Sequence, residues 1–347
     1  MVDVALTAGL AQPAGAAWSY RAPWWLPGGN LQTIWPALYA RRVFGAPPRY
    51  RRERWSAPDG DFIDLDWLQP EGQAPDAQKQ RPLLVLFHGL EGSSHSHYAE
   101  AFADFAAERG IAYVVPHFRG CGGEINPGPR AYHSGDYEEI GWILARLRRE
   151  HRGPLLAVGI SLGGNVLMRW AAEAGESASQ AAAAVAAVCS PLDLAAGAVA
   201  IGRGFNRLVY TTMFLRTMKP KALQKLAQHP GLFDGAAVMA ARDLHQFDDR
   251  FTAPVHGFLD ADDYYARASA KPHLHRIRIP ALALNALNDP FVPAASLAQA
   301  GDAGPLVTLW QPPGGGHVGF TAGSFPGHVR AMPNAVGAWL LRAAGCA

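Results

Sequence analysis

The residue pattern in this chain best suited to nucleophilic chemistry is a serine between glycines, Gly159-Ile160-Ser161-Leu162-Gly163. It follows an apolar run that reads as a strand and precedes a stretch with helical spacing. A sharp strand-to-helix turn lifts a serine Oγ clear of a sheet, and glycines two residues to either side let backbones crowd there without side-chain clashes. The helix that follows points its N-terminus at the same place, where its dipole favours a developing negative charge. A nucleophilic serine needs a base, and the base needs a carboxylate to orient it. In a strand–turn–helix setting the chain order is nucleophile, acid, histidine, with the last two on loops after late strands. Asp289, in Asn285-Ala-Leu-Asn-Asp-Pro290, and His317, in Gly314-Gly-Gly-His317-Val-Gly319, fall at those places. Asp193 is a rival acid after an earlier strand. His328 is a rival base just before the last helix, expected at the surface. The fourth part is a pair of backbone donors for the oxyanion. His88-Gly89-Leu90-Glu91-Gly92 follows the first core strand, so the amides of Leu90 and Leu162 are the expected donors. His88, His133 and Phe291 are candidates for the substrate pocket.

These residues need a scaffold of buried strands and helices. Pro82–His88 is a continuous apolar run, as expected of a strand buried on both faces of a parallel sheet, Ile111–Pro116 is the next buried strand, and Pro154–Ile160, Ala182–Cys189, Pro280–Leu287 and Pro305–Trp310 read as further strands. Helical spacing covers 98–109, which Gly110 stops, and 134–149, where Asp136 followed by Glu139 resembles a capping box. It covers 162–174 as well, and also 332–344, where Pro333 is tolerable in the first turn. Tyr50 to Leu68, around Pro58-Asp59-Gly60, predicts an antiparallel hairpin, followed by a polar loop at 69–81. This rhythm predicts an α/β fold with a mostly parallel, doubly wound sheet and helices on both faces. From Pro191 to about Ile277 the rhythm breaks into helical sequence. The expected organisation is an N-terminal arm (1–48), a first part of the core (49–190), a helical cap insertion (191–277) and a second part of the core (278–347).

Composition narrows the function classes. The chain has 347 residues, 49% of them hydrophobic and 17% charged, with a formal net charge of +2. That balance fits a packed globular protein and argues against nucleic-acid partners, which need a concentrated excess of Lys and Arg. Cys121, Cys189 and Cys346 are odd in number and far apart, so neither a disulfide framework nor a zinc knuckle is indicated, and a reducing, cytoplasmic setting fits. Asp3 and the break at Gln12-Pro13 argue against a signal peptide, and no run reaches the ~18 apolar residues of a membrane span. His95 and His97, with His88, His117 and His133 on nearby loops, lack the helix context and carboxylates of a metal site, so no metal is expected. Gly120-Cys-Gly-Gly123 is not a dinucleotide fingerprint, and no cofactor is expected. Arg203 to Lys225 carries six cations and no Asp or Glu, interleaved with apolar residues. It reads as a solvated basic face over a packed apolar face. It is also the surface through which a weak contact with an anionic membrane could form.

Several further segments carry a resemblance to a known family. They are Gly29-Asn-Leu-Gln-Thr33, Arg119-Gly-Cys-Gly-Gly-Glu-Ile-Asn126, Tyr132-His-Ser-Gly135, Tyr264-Tyr-Ala-Arg-Ala-Ser269 and Asn285-Ala-Leu-Asn-Asp-Pro-Phe291, beside the segments at 88–92 and 159–165. With these the chain resembles, over nearly its whole length, the YheT-like branch of the α/β-hydrolase superfamily. The resemblance implies an α/β-hydrolase fold with Ser161 as nucleophile, Asp289 as acid and His317 as base. It also implies an esterase or lipase acting on a small acyl ester or lipid. Unlike the eukaryotic members, the chain is expected to have no N-terminal membrane anchor. Serine at the nucleophile position sets it apart from dehalogenases and epoxide hydrolases of this fold, which carry aspartate there. Acyl transfer to an alcohol with the same triad, and a non-enzymatic binding module, are the alternatives.

Overall fold

The hairpin expected around Pro58-Asp59-Gly60 forms from β1 (Tyr50–Ser56) and β2 (Phe62–Leu68), in register from Tyr50 opposite Leu68 to Ser56 opposite Phe62. The unbroken apolar runs become β3 (Leu83–Phe87), β4 (Ala112–Pro116), β5 (Leu155–Ile160), β6 (Ala184–Val188) and β7 (Ala281–Leu284), each buried along its whole length. The last strand is β8 (Val307–Trp310). This computed structural model describes residues 18–69 and 79–346. The N-terminal segment read as lacking a signal peptide, and most of the polar loop at 69–81, lie outside the described residues.

The strands make one sheet in the order β1-β2-β4-β3-β5-β6-β7-β8. The β1–β2 and β2–β4 pairs are antiparallel, and every pair from β4 to β8 is parallel. Both faces of the parallel part are covered, which is why β3 to β7 show no polar alternation, whereas β1 is largely exposed and charged and β2 alternates with Asp64 and Asp66. In β3, Leu83, Val85 and Phe87 point to one side, where Ile143 and Leu167 pack from two helices, Tyr137–Glu150 and Leu162–Ala174. Leu84 and Leu86 point to the other, where Phe102 and Val336 pack from His97–Arg109 and Ala331–Ala343. Because β3 lies between β4 and β5, the chain winds away from it in both directions. The crevice that this opens beyond the carboxyl ends of the strands is the natural ligand position of such a sheet.

Between β6 and β7 no strand forms among the described residues. Helices Leu194–Ile201, Thr212–Gln228 and Ala261–Ala268, with shorter turns, fill the interval around two buried clusters, one with Leu215, Val238, Phe247 and Phe251 and one with Leu194, Tyr264 and Tyr265. No helix of the described residues is long and apolar enough to cross a membrane.

The capping box expected at Asp136 and Glu139 does not form. Asp136 sits at the N-cap without a side-chain cap bond, and its Oδ1 accepts from Arg130 Nη2 at 2.8 Å instead. Glu139 Oε1 accepts from Arg119 Nε at 2.7 Å. Both carboxylates are buried, and a buried charge needs a countercharge more than a backbone amide. Arg119 also meets Asp61 and Asp59, at 3.1 and 2.8 Å, and so ties the loop after β4 to the hairpin turn. Burial, reinforced by the Asp136 charge and opposed by Arg119, pushes Glu139 up to about 7. Arg119→Met leaves Asp61 and Glu139 buried without their guanidinium. It is expected to lower the unfolding free energy by ~3–5 kcal/mol in urea titrations; an unchanged midpoint would contradict this role for the network.

Candidate active site

Ser161 sits in the first position after β5, with φ 52° and ψ −118°, a conformation that L-residues rarely adopt. Its neighbours allow it. A Cβ on Gly159 would overlap the backbone of Gly163 and Gly164, and one on Gly163 would overlap the carbonyls of Phe87 and His88. Strand, turn and helix therefore touch backbone to backbone, and Ser161 stands at the start of helix Leu162–Ala174. The Ser161 N–H is anchored to Val188 O on β6 at 2.8 Å.

Three side chains from three separate loops meet here. His317 Nε2 lies 3.0 Å from Ser161 Oγ, and His317 Nδ1 lies 2.9 Å from Asp289 Oδ2. Asp289 follows β7, His317 follows β8, and the Asp289 side chain is wholly buried. Asp289 Oδ1 also accepts the N–H groups of Phe291, at 2.8 Å, and Val292, at 3.3 Å, so its carboxylate is fixed before it meets the imidazole. The rivals are elsewhere. Asp193 caps helix Leu194–Ile201 by accepting from Ala196 N–H, and His328 is half-buried against Phe44 with its Nδ1 accepting from Arg330 N–H.

Leu90 and Leu162 line the same cavity as Ser161 and His317. Leu162 opens its helix, where N–H groups have no intrahelical acceptor. Around Leu90, Gly89 N–H donates to Tyr98 Oη at 3.0 Å and Glu91 N–H to Tyr132 Oη at 2.9 Å. Two tyrosine hydroxyls thus pin the amides on either side of Leu90. The cavity encloses about 170 Å³ and extends towards the insertion, with Leu194, Ile201, Phe214, Met218 and Phe251 among its walls.

Phe291 and His133 line this cavity. The Phe291 ring lies 4.2 Å from the His317 ring, and His133, pushed down to about 3 by burial, packs 4.4 Å from His256. His88 does not reach it. It is wholly buried, its Nδ1–H donates to Gly89 O at 2.8 Å, and its Nε2 accepts from Phe118 N–H at 3.1 Å. Burial pushes it down to about 3, so it is a neutral brace beneath the Leu90 loop rather than a pocket residue. Cys189, Asp289 and His317 bring donor atoms within 4.8 Å of one another. Their chemistry suits the hydrogen-bonded chain better than an ion: burial raises the Cys189 thiol well above its ordinary range, and its Sγ accepts from Val318 N–H.

The residues that hold the acid and base loops together were not expected. Gln32 and Thr33 come from the arm helix Gly29–Leu38. Gln32 Oε1 accepts from Gly315 N–H at 2.8 Å and from Asn288 Nδ2 at 2.9 Å. Asn288 Oδ1 accepts from Gly316 N–H at 3.0 Å, and Thr33 Oγ1 accepts from His317 N–H at 2.8 Å. A Cβ on Gly29 would overlap the Asn288 carbonyl, so the arm packs directly on the acid loop. The only sequence signal was that these residues fall inside the segments 29–33 and 285–291.

A family model described as alpha/beta hydrolase fold matches residues 82–323. The chain belongs to the α/β-hydrolase family. Within it the chain is 41% identical, over 298 residues and 85% of each chain, to an Escherichia coli K12 protein named "Putative esterase YheT". It is 32% identical to mouse "Phospholipase ABHD3" over 288 residues, covering 81% of this chain and 68% of the mouse protein. Among solved structures, Est1E from Butyrivibrio proteoclasticus with bound ferulic acid superposes with a TM-score of 0.53 at 17% identity, covering 86% of this chain and 99% of that one. This last likeness is one of fold.

Gln32→Leu removes the arm oxygen that bridges the two loops and leaves the buried Gly315 N–H and the part-buried Asn288 Nδ2 without their acceptor, a buried unpaired donor costing about 1–3 kcal/mol. The expected result is a roughly 10- to 100-fold lower kcat on a soluble ester with KM within about twofold, since small misplacements of reacting groups cost rates of this order. Wild-type kcat in a folded variant would show that the clamp does not position His317.

Proposed function

We propose that this chain is a serine hydrolase of carboxylic esters, with Ser161, His317 and Asp289 as its triad. The observation that carries the reading is the unbroken chain from Ser161 Oγ through His317 to the buried Asp289, at 3.0 and 2.9 Å, on an apolar cavity. The names of the relatives, an esterase and a phospholipase, support the same reaction class.

His317 Nε2 takes the Ser161 proton as Oγ bonds to the ester carbonyl carbon. The carbonyl oxygen becomes an oxyanion held by the Leu90 and Leu162 amides, a stabilisation of about 2.7–4 kcal/mol per donor in such sites. Asp289 keeps the Nδ1–H tautomer and stabilises the imidazolium. The C–O bond to the alcohol breaks, the alcohol leaves with the proton from His317, and an acyl-Ser161 ester remains. Water then gives a proton to His317 and attacks the acyl carbon, the bond from that carbon to Ser161 Oγ breaks, and His317 returns the proton to Oγ as the acid leaves. In this reading residues 191–277 are a cap over the core formed by 49–190 and 278–347, and its apolar walls accept the acyl group.

A fluorophosphonate probe should label the wild-type protein and not Ser161→Ala. The same substitution should lower p-nitrophenyl ester hydrolysis by about 10³-fold or more. Equal labelling of both proteins would overturn the assignment of the nucleophile.

A further inference from the structure

The acid-free stretch of the insertion was expected to pack its apolar residues and expose its cations. It exposes both. Tyr210 and Leu215 are buried, and Phe214 and Met218 line the cavity. On the other side Phe205 is 50% exposed, Leu208 75%, and Met213 52%, with Val209 between them also exposed. Positions 205, 208, 209 and 213 recur at three- and four-residue intervals, which places them on one face of helical backbone running from Gly204 through Thr212–Gln228. Arg203, Arg207 and Arg216 are exposed along the same stretch, and no Asp or Glu occurs between Asp193 and Asp234. The inward side of this stretch is tied to the arm, where Tyr210 Oη donates to Asn30 Oδ1 at 2.9 Å.

We propose that this face docks on an anionic lipid bilayer. Large apolar side chains on one side of a helical stretch that also exposes cations and carries no carboxylate of its own match the interface between acyl chains and anionic headgroups. The surface is the outward side of a helix rather than a groove, so it suits a bilayer better than a peptide. The proposal deepens the ester-hydrolase reading, because the inward side of the same helical stretch reaches the site. Tyr210 lies 4.5 Å from the Phe291 ring, which in turn packs on His317. Docking would bring the cavity walls to the source of an acyl ester dissolved in a membrane.

The test is flotation of the full chain with phosphatidylcholine vesicles, with and without about one-third phosphatidylglycerol. Wild type should float with the anionic vesicles, and lose at least about tenfold of that binding on neutral vesicles or in high salt. The double variant Leu208→Glu/Met213→Glu should lose at least about tenfold of binding while hydrolysing p-nitrophenyl acetate within about twofold of wild type. No binding by wild type, or equal binding by the variant, would overturn the proposal. So would self-association through this face in place of vesicle binding, seen as a dimer by size-exclusion chromatography that the variant abolishes. If the soluble ester is not hydrolysed at all, the reading of the site fails while the flotation result still decides the docking face.

Discussion

A serine held at φ 52° is the position around which the rest of this molecule is arranged. A non-glycine residue in that region costs of order 1–3 kcal/mol and persists only where its surroundings leave it no alternative. Here the surroundings are backbone. The β5 terminus, the turn and the first helical turn approach so closely that side chains on Gly159 or Gly163 would not fit, and Val188 on the next strand holds the Ser161 amide. The same contacts bring the β3 loop, with Leu90, alongside the serine: a Cβ on Gly89 would meet the Ser161 Cβ at 3.3 Å. One tight turn thereby sets both the exposure of a hydroxyl and the place of the amides expected to face it.

In the proposed reaction the serine needs a base. The imidazole beside it, His317, arrives on a glycine-rich loop after β8, and such a loop has no intrinsic reason to hold an imidazole still. The arm supplies the order. Gln32 and Thr33, with Asn288 of the acid loop, convert the free N–H groups of Gly315, Gly316 and His317 into bonded ones and join the β7 and β8 loops through the carboxamides of Gln32 and Asn288. The N-terminal arm is therefore part of the site although it brings no group to the reacting atoms.

The order of strands and helices was legible because burial on both sheet faces leaves a simple record, unbroken apolar runs separated by helical spacing. The meeting of Ser161, Asp289 and His317 was legible because a serine, a carboxylate and a histidine of these types stand at particular strand ends. The clamp was not: nothing local to Gln32 specifies that its carboxamide will meet an amide 283 positions away. Asp136 and His88 misled for a related reason. Both carry a familiar local signal, a capping carboxylate and a loop histidine, and in both cases burial decides the partner. Arg130 claims the first, while Gly89 and Phe118 claim the second. Along the 204–216 stretch Tyr210 and Phe214 turn inward towards Phe291, which leaves Phe205, Leu208, Val209 and Met213 on the outward side.

The central claim is that Ser161 becomes the acyl carrier. The most direct measurement is a rapid acid quench during turnover of a p-nitrophenyl ester, followed by intact mass and peptide mapping. The account predicts one acyl group per chain, on the peptide containing Ser161, appearing with the first released p-nitrophenol. Turnover with no adduct, or with the acyl group on another residue, would contradict it.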